Sequence, residues 1–180
     1  NTIPISMEEL IFLVRAVRRG SKKAMVVADM PFMSYQASVE DAVRNAGRFI
    51  KEGGAEAVKL EGGVAYTAQI KAIIDAGIPV MGHVGLLPQS FHLSSGYRIQ
   101  GKTLLEAEKI FSDAIAVQES GAFAVVLEGI PANLAEKITK KLNIPTIGIG
   151  AGPHCDGQIQ VYHDILGMYC EMIPKHCKRY

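Results

Sequence analysis

Short apolar runs alternate with longer amphipathic stretches along almost the whole chain. The short runs are rich in valine, isoleucine and alanine, and they predict strands at residues 24–29 (AMVVAD), 57–61 (AVKLE), 78–83 (IPVMGH), 123–128 (FAVVLE) and 144–148 (IPTIG). Residues 158–162 form a sixth candidate in a more ambiguous tail. Between the runs, helical spacing predicts helices at 2–20, 38–52, 64–76, 103–120 and 131–142. Ser6 is suited to cap the first helix, with Glu8 and Glu9 in its opening turn and Gly20 at its stop. Gly53 and Gly54 end the second, and Pro131 suits the first turn of the last. Two loops, 30–37 and 84–101, are longer than simple turns.

Strict strand–helix alternation implies a parallel sheet joined by right-handed crossovers. The strands are almost wholly apolar, as expected when both faces are covered. Two α/β architectures fit: an open doubly wound sheet or a (β/α)8 barrel. Both place their chemistry beyond the carboxyl ends of the strands. No linker or low-complexity tract divides residues 1–180, so a single domain is expected.

Composition removes other classes. At 48% hydrophobic and 21% charged residues the chain reads as an ordinary globular domain. A net charge of +1 leaves no nucleic-acid footprint, and Arg15, Arg18, Arg19, Lys22 and Lys23 cluster where they complement a helix dipole. No apolar run approaches the roughly 20 residues of a membrane span. Cys155, Cys170 and Cys177 match no zinc spacing, and an odd count points to a reducing, cytoplasmic setting. Met25, Met30, Met33 and Met81 read as core fillers. The glycine-rich segment 148–152 lacks dinucleotide spacing and is followed by Pro153, so close packing or ligand approach explains it better than nucleotide binding.

Polar residues recur where the predicted strands end: Asp29, then Lys59 and Glu61, then His83, then Glu128. Period two puts Lys59 and Glu61 on one face. Charges in that position need partners or a ligand, and two readings exist: a structural network at the sheet mouth, or a functional site. Repetition along successive strands favours the site. Asp29 and Glu61 suit a hard divalent cation such as magnesium, which takes oxygen ligands and keeps waters. Lys59 is placed to neutralise negative charge on a bound oxo or enolate group. Glu128, on another strand, is the general acid/base candidate, with His83 in a supporting role.

The strings ADMPFMSY (28–35), VKLEGG (58–63), PVMGHVGLLPQS (79–90), GYRIQGK (96–102), VVLEGIP (125–131), IPTIGIGAG (144–152) and DGQIQVYHDILG (156–167) closely resemble the ketopantoate hydroxymethyltransferase family, in collinear order over essentially the whole chain. The resemblance implies a (β/α)8 TIM barrel of the phosphoenolpyruvate/pyruvate type, usually a homodecamer. It implies magnesium on Asp29 and Glu61, the oxo acid on Asp29 and Lys59, and Glu128 as proton acceptor. The implied reaction moves a one-carbon unit from 5,10-methylenetetrahydrofolate to 3-methyl-2-oxobutanoate, giving 2-dehydropantoate for pantothenate biosynthesis. In that family two further βα units precede the first helix seen here, and the second of their strands ends in an Asp-Ser pair whose aspartate binds the metal. Nothing in residues 1–20 matches that pair, and the family's C-terminal extension has no counterpart beyond 173–175. A full barrel needs about 250 residues. The expectation is therefore an incomplete barrel covering about strands 3–8. It is either part of an active enzyme or a shortened non-catalytic homologue that assembles with a partner; a related magnesium-dependent oxo-acid lyase is the third reading.

Overall fold

A computed structural model describes residues 3–90, 92, 98–168 and 177. Strands β1 (Val27–Asp29), β2 (Ala57–Lys59), β3 (Val80–Gly85), β4 (Ala124–Glu128), β5 (Thr146–Ile149) and β6 (Gly157–Gln158) form one sheet. Every neighbouring pair is parallel, and the order in space is the order in the chain. A doubly wound sheet reverses its strand order at a switch point. This one never does, and sequential order with right-handed crossovers puts the helices on one face. The opposite face is then the inner wall of a barrel-type sheet, with β1 and β6 as its two edges.

The helices form for local reasons. In α1 (Met7–Gly20) the Ser6 hydroxyl accepts from the Glu9 N–H while the Glu9 carboxylate accepts from Ser6 N–H, a reciprocal cap. Thr103 and Glu106 repeat that arrangement at the start of α4 (Leu104–Glu119). Ser38 caps α2 (Val39–Arg48), which widens into a five-residue π turn before Gly54 closes it in the left-handed region. Helices α3 (Thr67–Asp75) and α5 (Ala132–Lys141) bury Ile70 and Ile73, and Leu134 and Ile138.

Burial separates the two sheet faces. On β3, Val80 and Val84 pack into the helix-side core, and Gly82 between them has no side chain because Val117 of α4 occupies that space. Met81, His83 and Gly85 alternate onto the inner face. The helix-side core is apolar and continuous, from Ala28 and Val58 through Val125 and Leu127.

Several expectations need correction at the boundaries. The first helix begins at Met7, not residue 2, and Pro131 sits at the cap position of α5 instead of inside its first turn. Strand β2 stops at Lys59, two residues short of Glu61, while β3 runs on to Gly85. The last strand is Gly157–Gln158, and Tyr162 opens a short helix, α6 (Tyr162–Ile165). Met30 is fully buried, but Met25 is 48% and Met33 55% exposed, so neither fills the core. Met25 lies on the parity of the inner face, and Met33 sits in the loop after β1 with φ at +66°. Cys170, residues 173–175 and Gly96–Tyr97 of the GYRIQGK string fall outside the described residues.

Candidate active site at the strand carboxyl ends

Register brings the predicted residues together. Asp29 pairs with Lys59 across β1 and β2, and Lys59 with Met81 across β2 and β3. Beyond the end of β2, Gly62 makes an isolated antiparallel bridge to His83, and Glu61 Oε1 lies 3.9 Å from His83 Nδ1. Glu128 pairs with Gly85 and so stands one layer higher. The five side chains therefore rise as a staircase across four adjacent strands.

Lys59 is the centre of the set. Its Nζ lies 2.7 Å from Asp29 Oδ1 and 3.3 Å from His83 Nδ1. A protonated lysine only donates, so Nδ1 accepts and the ring proton resides on Nε2. Burial and the neighbouring Lys59 charge both lower the His83 pKa, which keeps the ring neutral. Nε2 lies 3.1 Å from Glu128 Oε2, off the direction of a hydrogen bond, and is the one buried side-chain polar atom among the described residues without a hydrogen-bond partner. The ring proton thus faces the Glu128 carboxylate at the mouth of the strands.

Glu61 is 4% exposed. Burial raises its pKa to about 7 against the opposing pull of Lys59 and the Gln89 N–H, with Asp29 and Glu128 adding repulsion. Three carboxylates thus face a single lysine and a neutral histidine. That excess of negative oxygen fits a divalent cation. Among the described residues, no three His, Cys, Asp or Glu side chains converge tightly enough to hold a metal by themselves. A magnesium ion here would rest on Asp29 and Glu61 and take its other oxygens from water and substrate. Asp29 is half exposed on the edge strand.

The sequence reading passed over Tyr35 and Gln89. Tyr35 is 1% exposed, with its hydroxyl 3.1 Å from the Glu61 carbonyl and 3.0 Å from Gln89 Oε1. Gln89 is 7% exposed, and its backbone N–H donates to Glu61 Oε2 at 3.0 Å. Tyr35 lies in a loop and Gln89 in a single 3-10 turn, Pro88–Ser90, and neither has a periodicity to mark it. The only sequence signal was their place inside two of the family-like strings.

Comparison with known proteins gives the family and the fold. A family model described as ketopantoate hydroxymethyltransferase matches residues 1–180. The chain is 61% identical over its whole length to a 3-methyl-2-oxobutanoate hydroxymethyltransferase of Carboxydothermus hydrogenoformans, covering 65% of that protein. It is 60% identical to the protein of the same name from Geobacter metallireducens, covering 67% of it. The chain thus spans about two thirds of the length of these curated relatives. Among solved structures, one described as a phosphonomutase from Burkholderia cenocepacia superposes with a TM-score of 0.59 at 15% identity, over 82% of this chain and 62% of that one. A lyase/mutase from the same organism gives 0.56 at 15% identity, over 80% and 52%. At that identity the likeness concerns the fold alone, and with the sequential parallel order it identifies the six strands as an incomplete barrel.

Proposed function

The chain belongs to the ketopantoate hydroxymethyltransferase family, a transferase family of pantothenate biosynthesis, and from that premise we propose that its strand ends form the oxo-acid side of a one-carbon transfer site. The substrates would be 3-methyl-2-oxobutanoate and 5,10-methylenetetrahydrofolate, and the product 2-dehydropantoate. The observation that carries the reading is the partly buried Lys59 held between Asp29 and His83, with Glu61 and Glu128 beside the histidine.

Magnesium bound by Asp29 and Glu61 would supply the positive charge that acidifies the proton on C3 of the oxo acid. Lys59 carries fixed positive charge to the same place, where negative charge develops on the substrate oxygen as that proton leaves. Asp29 holds the ammonium at 2.7 Å, so little reorganisation is needed when the charge appears. Glu128 is the side chain to hold and return a proton, one layer above the lysine. His83 presents an Nε2 proton beside it and completes the wall. The deprotonated C3 forms a C–C bond to the folate methylene carbon as one of that carbon's two C–N bonds breaks, and a water molecule supplies the hydroxyl oxygen as the second breaks. The two folate nitrogens take up the C3 proton, carried by Glu128, and one proton from the water. A half-buried free thiol at Cys155 supports a reducing, cytoplasmic setting, and no helix among the described residues is long and apolar enough to cross a membrane. Assembly as a homo-oligomer, the family's habit, belongs to the same proposal.

The test is folate-dependent formation of ketopantoate by the natural protein, beside Glu128→Gln and the 180-residue chain alone. Loss of about 10²–10⁴-fold in kcat is expected for Glu128→Gln. Full activity in that variant would remove Glu128 from the proton transfer, and consumption of oxo acid without folate would replace the transfer with a lyase reaction. Turnover by the 180-residue chain would refute the non-catalytic reading of it.

A further inference from the structure

The ladder between β1 and β2 ends in an unusual way. In a parallel pair, a residue whose N–H reaches one residue of the neighbouring strand accepts at its carbonyl from the residue two further on. Met30 N–H donates to the Lys59 carbonyl at 2.8 Å, so a continued ladder would have Glu61 N–H donate to the Met30 carbonyl. It does not. The Met30 carbonyl accepts instead from Gln89 Nε2 at 2.8 Å, and Glu61 N–H donates to the Tyr35 hydroxyl at 3.1 Å.

Two side chains therefore replace the two halves of one broken ladder bond, and they are joined to each other. The Tyr35 hydroxyl and Gln89 Oε1 are 3.0 Å apart, and Gln36 Nε2 donates to the same oxygen at 3.0 Å. The Gln89 backbone N–H then reaches back to the Glu61 carboxylate. Loops after β1, β2 and β3 meet in this one buried network. An unbroken ladder would hold Glu61 as an ordinary strand residue with its neighbours in pleated alternation. The inserted pair replaces that with a side-chain acceptor on the Glu61 N–H and a donor on the carboxylate oxygen Oε2.

The geometry points to Tyr35 and Gln89 as positioning residues that wedge β1 from β2 and aim the Glu61 carboxylate at the ligand. This rests on the proposed role of Glu61 in holding a divalent cation. Outer partners that orient a ligating carboxylate are worth 10–100-fold in metal affinity.

The experiment measures Mn²⁺ binding to the natural protein by the electron paramagnetic resonance signal of the free ion, without substrate or turnover. Tyr35→Phe and Gln89→Met are each expected to weaken Mn²⁺ about tenfold, and the double variant to be no weaker than the poorer single, since both act through one network. In the metal-free protein the Glu61 amide of Tyr35→Phe is expected to exchange hydrogen faster. A purely structural role would lower the melting temperature and leave Mn²⁺ affinity within twofold of the parent; that result overturns the inference while leaving Glu61 as a ligand. If Glu61→Gln itself leaves Mn²⁺ affinity unchanged, the reading of Glu61 falls and the positioning role falls with it. Should Tyr35→Phe fail to fold, Gln89→Met carries the same test, because its backbone N–H still reaches Glu61.

Discussion

Glu61 combines deep burial with a carboxylate pushed up to about 7, and the sign of its contribution follows. The native state keeps this proton to higher pH than the unfolded chain does. Stability from this group therefore falls as pH rises from about 4.5 to about 7 and is flat above that. Glu61→Gln is expected to raise the unfolding free energy at pH 8 by about 1–3 kcal/mol and to do little at pH 4, which denaturant titrations at the two pH values would check. His83 works in the opposite direction. Its lowered pKa makes the fold lose stability as pH falls below the ordinary histidine value, so only the difference between parent and variant isolates Glu61. Lys59→Met should cost about 10²–10³-fold in kcat/KM of the natural protein, because it strips the fixed cation from between Asp29 and His83. A loss under threefold would mean the lysine is only a structural counter-ion. That bland reading was open from the sequence. Asp29, Lys59, Glu61, His83 and Glu128 could be named from strand ends and period two. Their partners could not, since a tautomer set by Lys59 and a carboxylate capped from residue 89 depend on contacts between distant segments.

At the scale of elements, local signals did most of the work. The Ser6–Glu9 box, the Ser38 cap and the Thr103–Glu106 box sit where helices start, because a side-chain oxygen beside three unsatisfied N–H groups acts within one turn. Thr103→Ala is expected to cost about 1 kcal/mol, read from chemical denaturation. The packing of α4 on β3 is less local. Gly82 marks where that helix comes closest, and Gly82→Ala would drive a methyl into Val117, with an expected loss of about 1–3 kcal/mol and a drop in melting temperature. An unchanged melting temperature would mean α4 slides without resistance. Strand ends were the weakest part of the sequence reading. AVKLE has the same β character through Glu61, yet β2 stops at Lys59. The Tyr35–Gln89 wedge stops it, and that wedge leaves no mark on the composition of the strand itself. The two-residue β6 was displaced for a related reason: Gly157 and Gln158 pair with Ile147 and Gly148 by register, not by apolar pattern.

At the scale of the whole molecule, the sheet formed by the described residues has two open edges, β1 and β6, and an inner face on which Met25 and Asp29 stand half open to solvent. Phe12, Leu13 and Val17 on the outer side of α1 are exposed as well. Open parallel edges beside exposed apolar side chains favour association, so the 180-residue chain prepared alone is expected to self-associate in light scattering. A monodisperse monomer at high concentration would contradict this. The sequence by itself determined the alternating α/β plan, the family, and which chemical groups crowd the strand ends, because periodicity, caps and motif strings are properties of neighbouring residues. Periodicity left the barrel wall and the doubly wound sheet both open and the family strings implied the barrel; the tertiary structure shows it directly, as strands in unbroken sequential order. It alone decided how Glu61 is buried, aimed and protonated. Desolvation and hydrogen bonding depend on what the fold brings within about 3 Å, and for Glu61 those neighbours come from residues 35 and 89.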